Sequence, residues 1–245
     1  MPDYASINGV AAADIASING VAKASVATVS GAATPASSSG ASRWVGVTDG
    51  GYVIHAADSD RTSWTVYDGV SGATPKAYDI GFGKNSSGEN IYICSRAGSS
   101  RELQISGTDV TTDATWTDIN IANDTQHCVM WGARSDGTAA GTWFAVGEQD
   151  NEQIYRSTDG TNWSAIDLSG LTGHQGGTSN DLKGIASNGA GKWVFAQAGR
   201  LYVSTDDGAN WSVSTPWSSD TPGVQQGITF TNNTWVIAYT RSSKV

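Results

Sequence analysis

Leucine, charge, proline and cysteine are all scarce in this chain. Its 245 residues hold five Leu against ten Trp, five Pro and two Cys, and Asp, Glu, Lys and Arg together make up 15%. Each shortage excludes something. Leu is a strong helix former, whereas Trp, Tyr, Val and Thr favour strands, so a helical bundle is excluded. Lys and Arg number 14 against 23 acidic residues, a net charge of −9, and they form no cluster that could line a phosphate groove. Nucleic acid is therefore not an expected partner. No apolar run approaches the ~20 residues a membrane helix needs, so no membrane partner is expected. No basic segment followed by an apolar run opens the chain, so no secretory signal peptide is readable. Cys94 and Cys128 make no disulfide framework and are expected as half-buried free thiols. His55, His127 and His174 are scattered without metal-ligand spacing, and nucleophile-elbow, P-loop and zincin motifs are absent. No cofactor or metal is expected.

What the chain does have is repetition. Residues 5–11 read ASINGVA, residues 16–22 read the same, and residues 27–33, ATVSGAA, are a worn third copy. A period of 11 residues could fit three helical turns. Asn-Gly inside each good copy, among weak helix formers, argues instead for short extended pieces joined by turns. Such an arm has too little apolar surface to fold alone. Tyr4, Ile7, Val10, Ile15, Ile18 and Val21 are its expected contacts, made with other copies (a trimer is the expected oligomer) or with a larger assembly. Over about the first 30 residues these tandem copies resemble the N-terminal segments of structural proteins of tailed bacteriophages, particularly tail and fibre proteins. The resemblance implies a virion structural protein, made in the host cytoplasm. It would be tail- or fibre-associated or surface-exposed, and held to other virion proteins by its arm. A capsid decoration protein is the alternative.

A second, longer period runs from residue 43 to the end. Aromatic-centred strands recur at Tyr52, Tyr92, Trp143, Trp193 and Trp235, each preceded by a shorter strand and a Gly or Asn turn. Hairpins at intervals of 40–50 residues are the mark of a propeller blade array. Residues 153–164, QIYRSTDGTNWS, and 200–212, RLYVSTDDGANWS, add a motif. Ser-x-Asp-x-Gly-x-x-Trp is matched by Ser204, Asp206, Gly208 and Trp211, and with one residue deleted by Ser157, Asp159, Gly160 and Trp163. It resembles the Asp box (BNR repeat) of sialidase-like β-propellers. Asp and Ser accept turn amides, Gly takes positive φ and Trp plugs the space between sheets, so the box is structural rather than catalytic. Worn boxes are expected at Ser106–Trp116 and at Asp68–Pro75. The expected fold is all-β, a five-bladed propeller with an extended N-terminal arm, four blades being the alternative. The arm spans 1–24 and the propeller 25–245, its ring closed by residues 25–42 acting as the third and fourth strands of the last blade.

In that register the loops joining second to third strands, and each blade to the next, share one face. Loops on a rigid scaffold concentrate binding residues. The candidate ligand face comprises Arg61, Arg96, Arg101, His127, Asp150, His174, Gln175, Arg200 and Arg241, whose amides, carboxylates and guanidinium groups suit the hydroxyls of a host glycan. A sialidase-like glycoside hydrolase would draw an arginine triad from these, but the Phe-Arg-Ile-Pro segment is missing and no Tyr nucleophile with a carboxylate base can be picked out. The chain is therefore read as not an enzyme. Cellular assembly-factor propellers also carry Asp boxes; the arm argues against that reading.

Overall fold

The computed structural model describes residues 26–28, 43–48, 51–67, 77–96, 103–107, 116–121, 125–147, 153–174, 182–197, 199–216 and 225–239. They form eighteen strands in five antiparallel sheets. Sheet one holds β1 (Val26–Thr28), β2 (Arg43–Thr48), β3 (Val53–Ala57) and β4 (Asp60–Tyr67). Sheet two holds β5 (Ala77–Lys84), β6 (Asn90–Arg96), β7 (Leu103–Ser106) and β8 (Thr117–Ile119). Sheet three holds β9 (Gln126–Gly132), β10 (Thr142–Gly147), β11 (Gln153–Ser157) and β12 (Trp163–Asp167). Sheet four holds β13 (Ile185–Ser187), β14 (Trp193–Gln197), β15 (Arg200–Ser204) and β16 (Ser212–Ser214), and sheet five β17 (Gln225–Thr231) and β18 (Thr234–Tyr239). From β5 to β16 each sheet is a four-stranded meander. The strands β2, β5, β9, β13 and β17 lie side by side in that order. Sheets ranked around a row of first strands make a β-propeller.

The second strands show why the sequence takes this form. TWFAVG of β10 and WVFAQ of β14 are buried throughout, on both faces. A strand loses all alternation when a sheet covers each side of it. Among the described residues the core falls into three clusters, at the interfaces of sheets one to four. Val47, Val53, Ile80, Cys94 and Trp116 pack between sheets one and two. Ile93, Leu103, Val129 and Trp143 pack between two and three, and Phe144, Ile185, Trp193, Phe195 and Tyr202 between three and four. Trp143 and Trp193 occupy one register: Trp143 lies opposite Trp131 and Ser157, and Trp193 opposite Ser187 and Ser204. The last hairpin turns on Asn232 and Asn233, both at positive φ (46° and 58°), the conformation that matches strand twist in a two-residue loop.

Two expectations differ from what is found. Residues 25–42 were expected beside the last sheet. Within that span β1 instead pairs with β2, Val26 opposite Thr48 and Thr28 opposite Val47. The first strand of sheet one has an open inner edge, and that edge binds the segment. The rest of 25–42, the arm 1–24 and the segment Asp68–Pro75 lie outside the described residues. Cys94 and Cys128 are free, as expected, but buried rather than half-buried, at 0% and 9% exposure. They sit where neighbouring sheets close on the first and second strands.

Candidate functional site

Antiparallel meanders place alternate connections at opposite ends, so the propeller has two faces. Hairpins joining first to second and third to fourth strands form one face. It carries the two Ser-Thr-Asp turns. Ser157 Oγ donates to Asp159 Oδ1 at 2.9 Å and accepts the amide of Gly160 at 2.8 Å. Asp159 accepts the amides of Thr161 and Asn162 at 2.8 and 2.7 Å, and Trp163 Nε1 donates to Gly160 O at 3.0 Å. Ser204, Asp206, Gly208, Asn210 and Trp211 repeat the pattern. Partial burial would raise both carboxyls, but the hydrogen bonds from Asn162 and Asn210, side chain and backbone, outweigh it, and both are held low. A carboxylate spent on its own turn is an acceptor for backbone amides and no proton donor. In both turns the Ser, Asp and Trp side chains are engaged by groups of their own turn.

The one-residue difference between the two turns has a structural result. The extra residue of the second is Asp207, in the left-handed region at φ 60° and 7% exposed. Its carboxylate crosses to sheet three, where Oδ1 accepts the Ser135 amide at 2.9 Å and Oδ2 the Ser135 hydroxyl at 2.7 Å. Its own amide donates to Gly191 O, and its carbonyl accepts Arg156 Nε at 3.1 Å. Sheets three and four are thereby tied at the turn face.

Of the candidate ligand residues, Arg96, His127, His174 and Arg200 are described, at or near the opposite face. Arg101, Asp150, Gln175, Arg241 and the side chain of Arg61 lie outside the described residues. Arg96 ends β6 and is 3% exposed, its Nη1 3.8 Å from Asp118 Oδ1. Gln104, fully buried, donates to the same Asp118 oxygen at 2.6 Å. Arg200 opens β15 in sheet four, half-buried. Sheet three separates Arg200 from Arg96, so these two arginines do not meet. His174 is half-buried and hydrogen-bonded through Nδ1 to the Tyr202 hydroxyl at 2.8 Å, a packing role. Asp60, in the same family of loops, accepts the Thr62 hydroxyl and amide, which hold its carboxyl down at about 2.

His127 is the residue that gathers others. It sits at a register shift between Gln126 and Cys128 on β9, and Tyr78 sits at the matching shift between Ala77 and Asp79 on β5. Such bulges re-aim a side chain out of the strand alternation. The two rings meet edge to face at 4.7 Å. Lys183, entering β13, brings Nζ to 2.9 Å from His127 Nε2. An ammonium only donates, so Nε2 accepts and the proton of a neutral imidazole sits on Nδ1. Tyr78 and Lys183 were missed in the sequence because neither lies in a motif; only the repeat of the bulge in successive sheets aligns them with His127.

Below this cluster lies another residue without a motif. Asp79 is buried on β5, its Oδ1 accepting the Ile80 amide at 2.9 Å and its Oδ2 the Val129 amide of sheet three at 3.1 Å. Burial pushes its carboxyl up to about 6 despite those bonds and one with the Cys128 thiol. The thiols of Cys94 and Cys128 are also pushed up by burial, away from the thiolate form that nucleophilic chemistry requires. Among the described residues no group of three or more His, Cys, Asp or Glu side chains is placed to hold a metal ion.

No family model and no curated protein matches the chain. Solved structures do. YCF48 bound to D1 peptide matches with a TM-score of 0.56 and 15% identity, over 81% of this chain and 59% of that one. Raptor of Chaetomium thermophilum matches at 0.54 and 10%, over 81% and 18%, and an ancestral GH74 enzyme at 0.54 and 14%, over 82% and 26%. This chain spans less than two thirds of the length of each. At these identities the likeness is one of fold, and it is the β-propeller fold; an enzyme and non-enzymes share it.

Proposed function

We propose that this chain is a non-enzymatic structural propeller of a bacteriophage particle, tail- or fibre-associated, held to other virion proteins by its N-terminal arm. The observation that carries the reading is the tandem 11-residue repeat ahead of the sheets, whose six apolar side chains, Tyr4, Ile7, Val10, Ile15, Ile18 and Val21, require a partner surface. The two Ser-Thr-Asp turns are read as Asp boxes of the sialidase-like kind, serving the scaffold. Deleting residues 1–22 is expected to leave the propeller's melting transition in place while abolishing incorporation into particles. Normal incorporation of the truncated chain sinks the anchoring idea.

A second reading concerns the face opposite those turns. Tyr78 and His127 on neighbouring first strands, with Lys183 ahead of the next, offer an aromatic edge beside polar groups, which supports recognition of a host glycan at that face. Many copies on a particle would convert weak binding into avidity. A glycan array probed with a multimerised propeller tests it: binding lost in Tyr78→Ala supports the reading, and signal no higher than for an unrelated multimer reduces the face to a scaffold surface.

A further inference from the structure

Among the described residues the five sheets form a series with two end faces: that of sheet one turned away from sheet two, and that of sheet five turned away from sheet four. Strand alternation assigns side chains to them. Val53 packs toward sheet two, so Ile54, its register partner Val66, and Tyr52 two residues before Ile54 belong to the other face. In sheet five Val236 takes the position held by Ile93, Phe144 and Val194, of which Ile93 and Phe144 pack onto the next sheet in the series. Those three equivalents are 0%, 0% and 3% exposed, whereas Val236 is 51% exposed. Tyr52 is 44% and Val66 57% exposed. Among the described residues the exposed large hydrophobic side chains are these three, and all lie on the end faces.

Among the described residues the edge beside them has no covering element. The described part of sheet five stops at β18, which pairs only with β17 there. Residues 225–239, QQGITFTNNTWVIAY, contain no charged residue and no proline. Natural sheet edges are blunted by lysine, proline or a covering element, and a bare apolar edge invites strand addition. Among the described residues nothing covers these side chains, and a second copy of the chain can. Two copies at net charge −9 repel and must meet through uncharged surface. Residues 4–22 carry one charge, Asp14, with Ile or Val on each side of both Asn-Gly pairs. Each repeat is long enough to run beside the six residues of β18.

We infer that the arm of one copy adds along β18 of a second copy and covers Val236, so that copies link head to tail. This rests on the reading that the arm associates and names its partner as this chain's own end face. Head-to-tail contacts of this kind close into a ring where the rotation between copies allows and otherwise extend as a filament.

The test uses full-length chains in sedimentation equilibrium. Wild type is expected to associate. A triple arm variant, Ile7→Asp, Ile15→Asp and Ile18→Asp, and an edge variant, Val236→Asp, are each expected to be monomeric with an unchanged melting temperature, since Val236 is already half in water. Mixed in equal amounts, the two variants are expected to re-form a two-chain species, because one keeps an intact edge and the other an intact arm. A mixture that stays monomeric overturns the inference. So does a monomeric wild type whose melting temperature falls in both variants, which would place the arm on its own chain's edge. A chain that joins particles through its arm yet fails to complement sinks this inference and leaves the anchoring reading standing.

Discussion

Asp207 is the sharpest point at which to test the physical account of this propeller. Replacing it with Ala removes two hydrogen bonds to Ser135, of 2.9 and 2.7 Å, while leaving the backbone bonds to Gly191 and Arg156 in place. Hydrogen bonds to a charged acceptor contribute about 1.5–3 kcal/mol each, but Ser135 is exposed and water replaces part of them. A net loss of about 2 kcal/mol is expected from the carboxylate. Backbone strain adds to it. Asp207 sits at φ 60°, where Asp is tolerated and Ala costs about 1 kcal/mol more than Gly. Asp207→Ala should therefore lose about 3 kcal/mol and Asp207→Gly about 2. At roughly 2–4 °C per kcal/mol for a domain of this size, the Ala variant should melt about 6–12 °C lower. A double-mutant cycle with Ser135→Ala in thermal or urea unfolding should give a coupling of about 1 kcal/mol. Equal stability of all variants and wild type would show that the tie between sheets carries no load. A Gly variant less stable than the Ala variant would refute the backbone argument.

Asp79 makes a prediction in pH. Its carboxyl is raised from 3.8 to about 6, so the folded chain binds this proton more tightly than the unfolded one. That contribution is fully present below about pH 4 and is lost as pH rises through 6, amounting to about 3 kcal/mol. Urea midpoints of Asp79→Asn should vary less between pH 4 and 6.5 than those of wild type; identical pH profiles would remove Asp79 from the account. Gly208→Ala should be severe, because φ is 78° and a Cβ would enter the buried Phe144 ring, whereas Gly137→Ala, at φ 72° in open space, should cost only about 1 kcal/mol by thermal unfolding. Comparable losses at the two sites would contradict the packing argument. Sialosides and aryl glycosides should not turn over; turnover abolished by Arg96→Ala or Arg200→Ala would make the chain an enzyme.

Much of the architecture was legible in the sequence because it is local. Aromatic strands at Tyr52, Tyr92, Trp143, Trp193 and Trp235 and the turn residues before them are set by strand propensity and positive φ, and these act within a few residues. The two Ser-Thr-Asp turns were legible for the same reason, since each satisfies its own amides. The candidate face was legible only as a set of loops. Its arginines at 96 and 200 stand on sheets separated by a third, and His174 turned out to be held by Tyr202. Where β1 docks, and which residues cross between sheets, are decisions of the tertiary structure. Asp79 reaches Val129 and Asp207 reaches Ser135 over 50 and 72 residues of chain. Nothing within a strand or a turn distinguishes a carboxylate that will meet a neighbouring sheet from one that will face water. Burial makes that distinction, and it exists only once the sheets are packed.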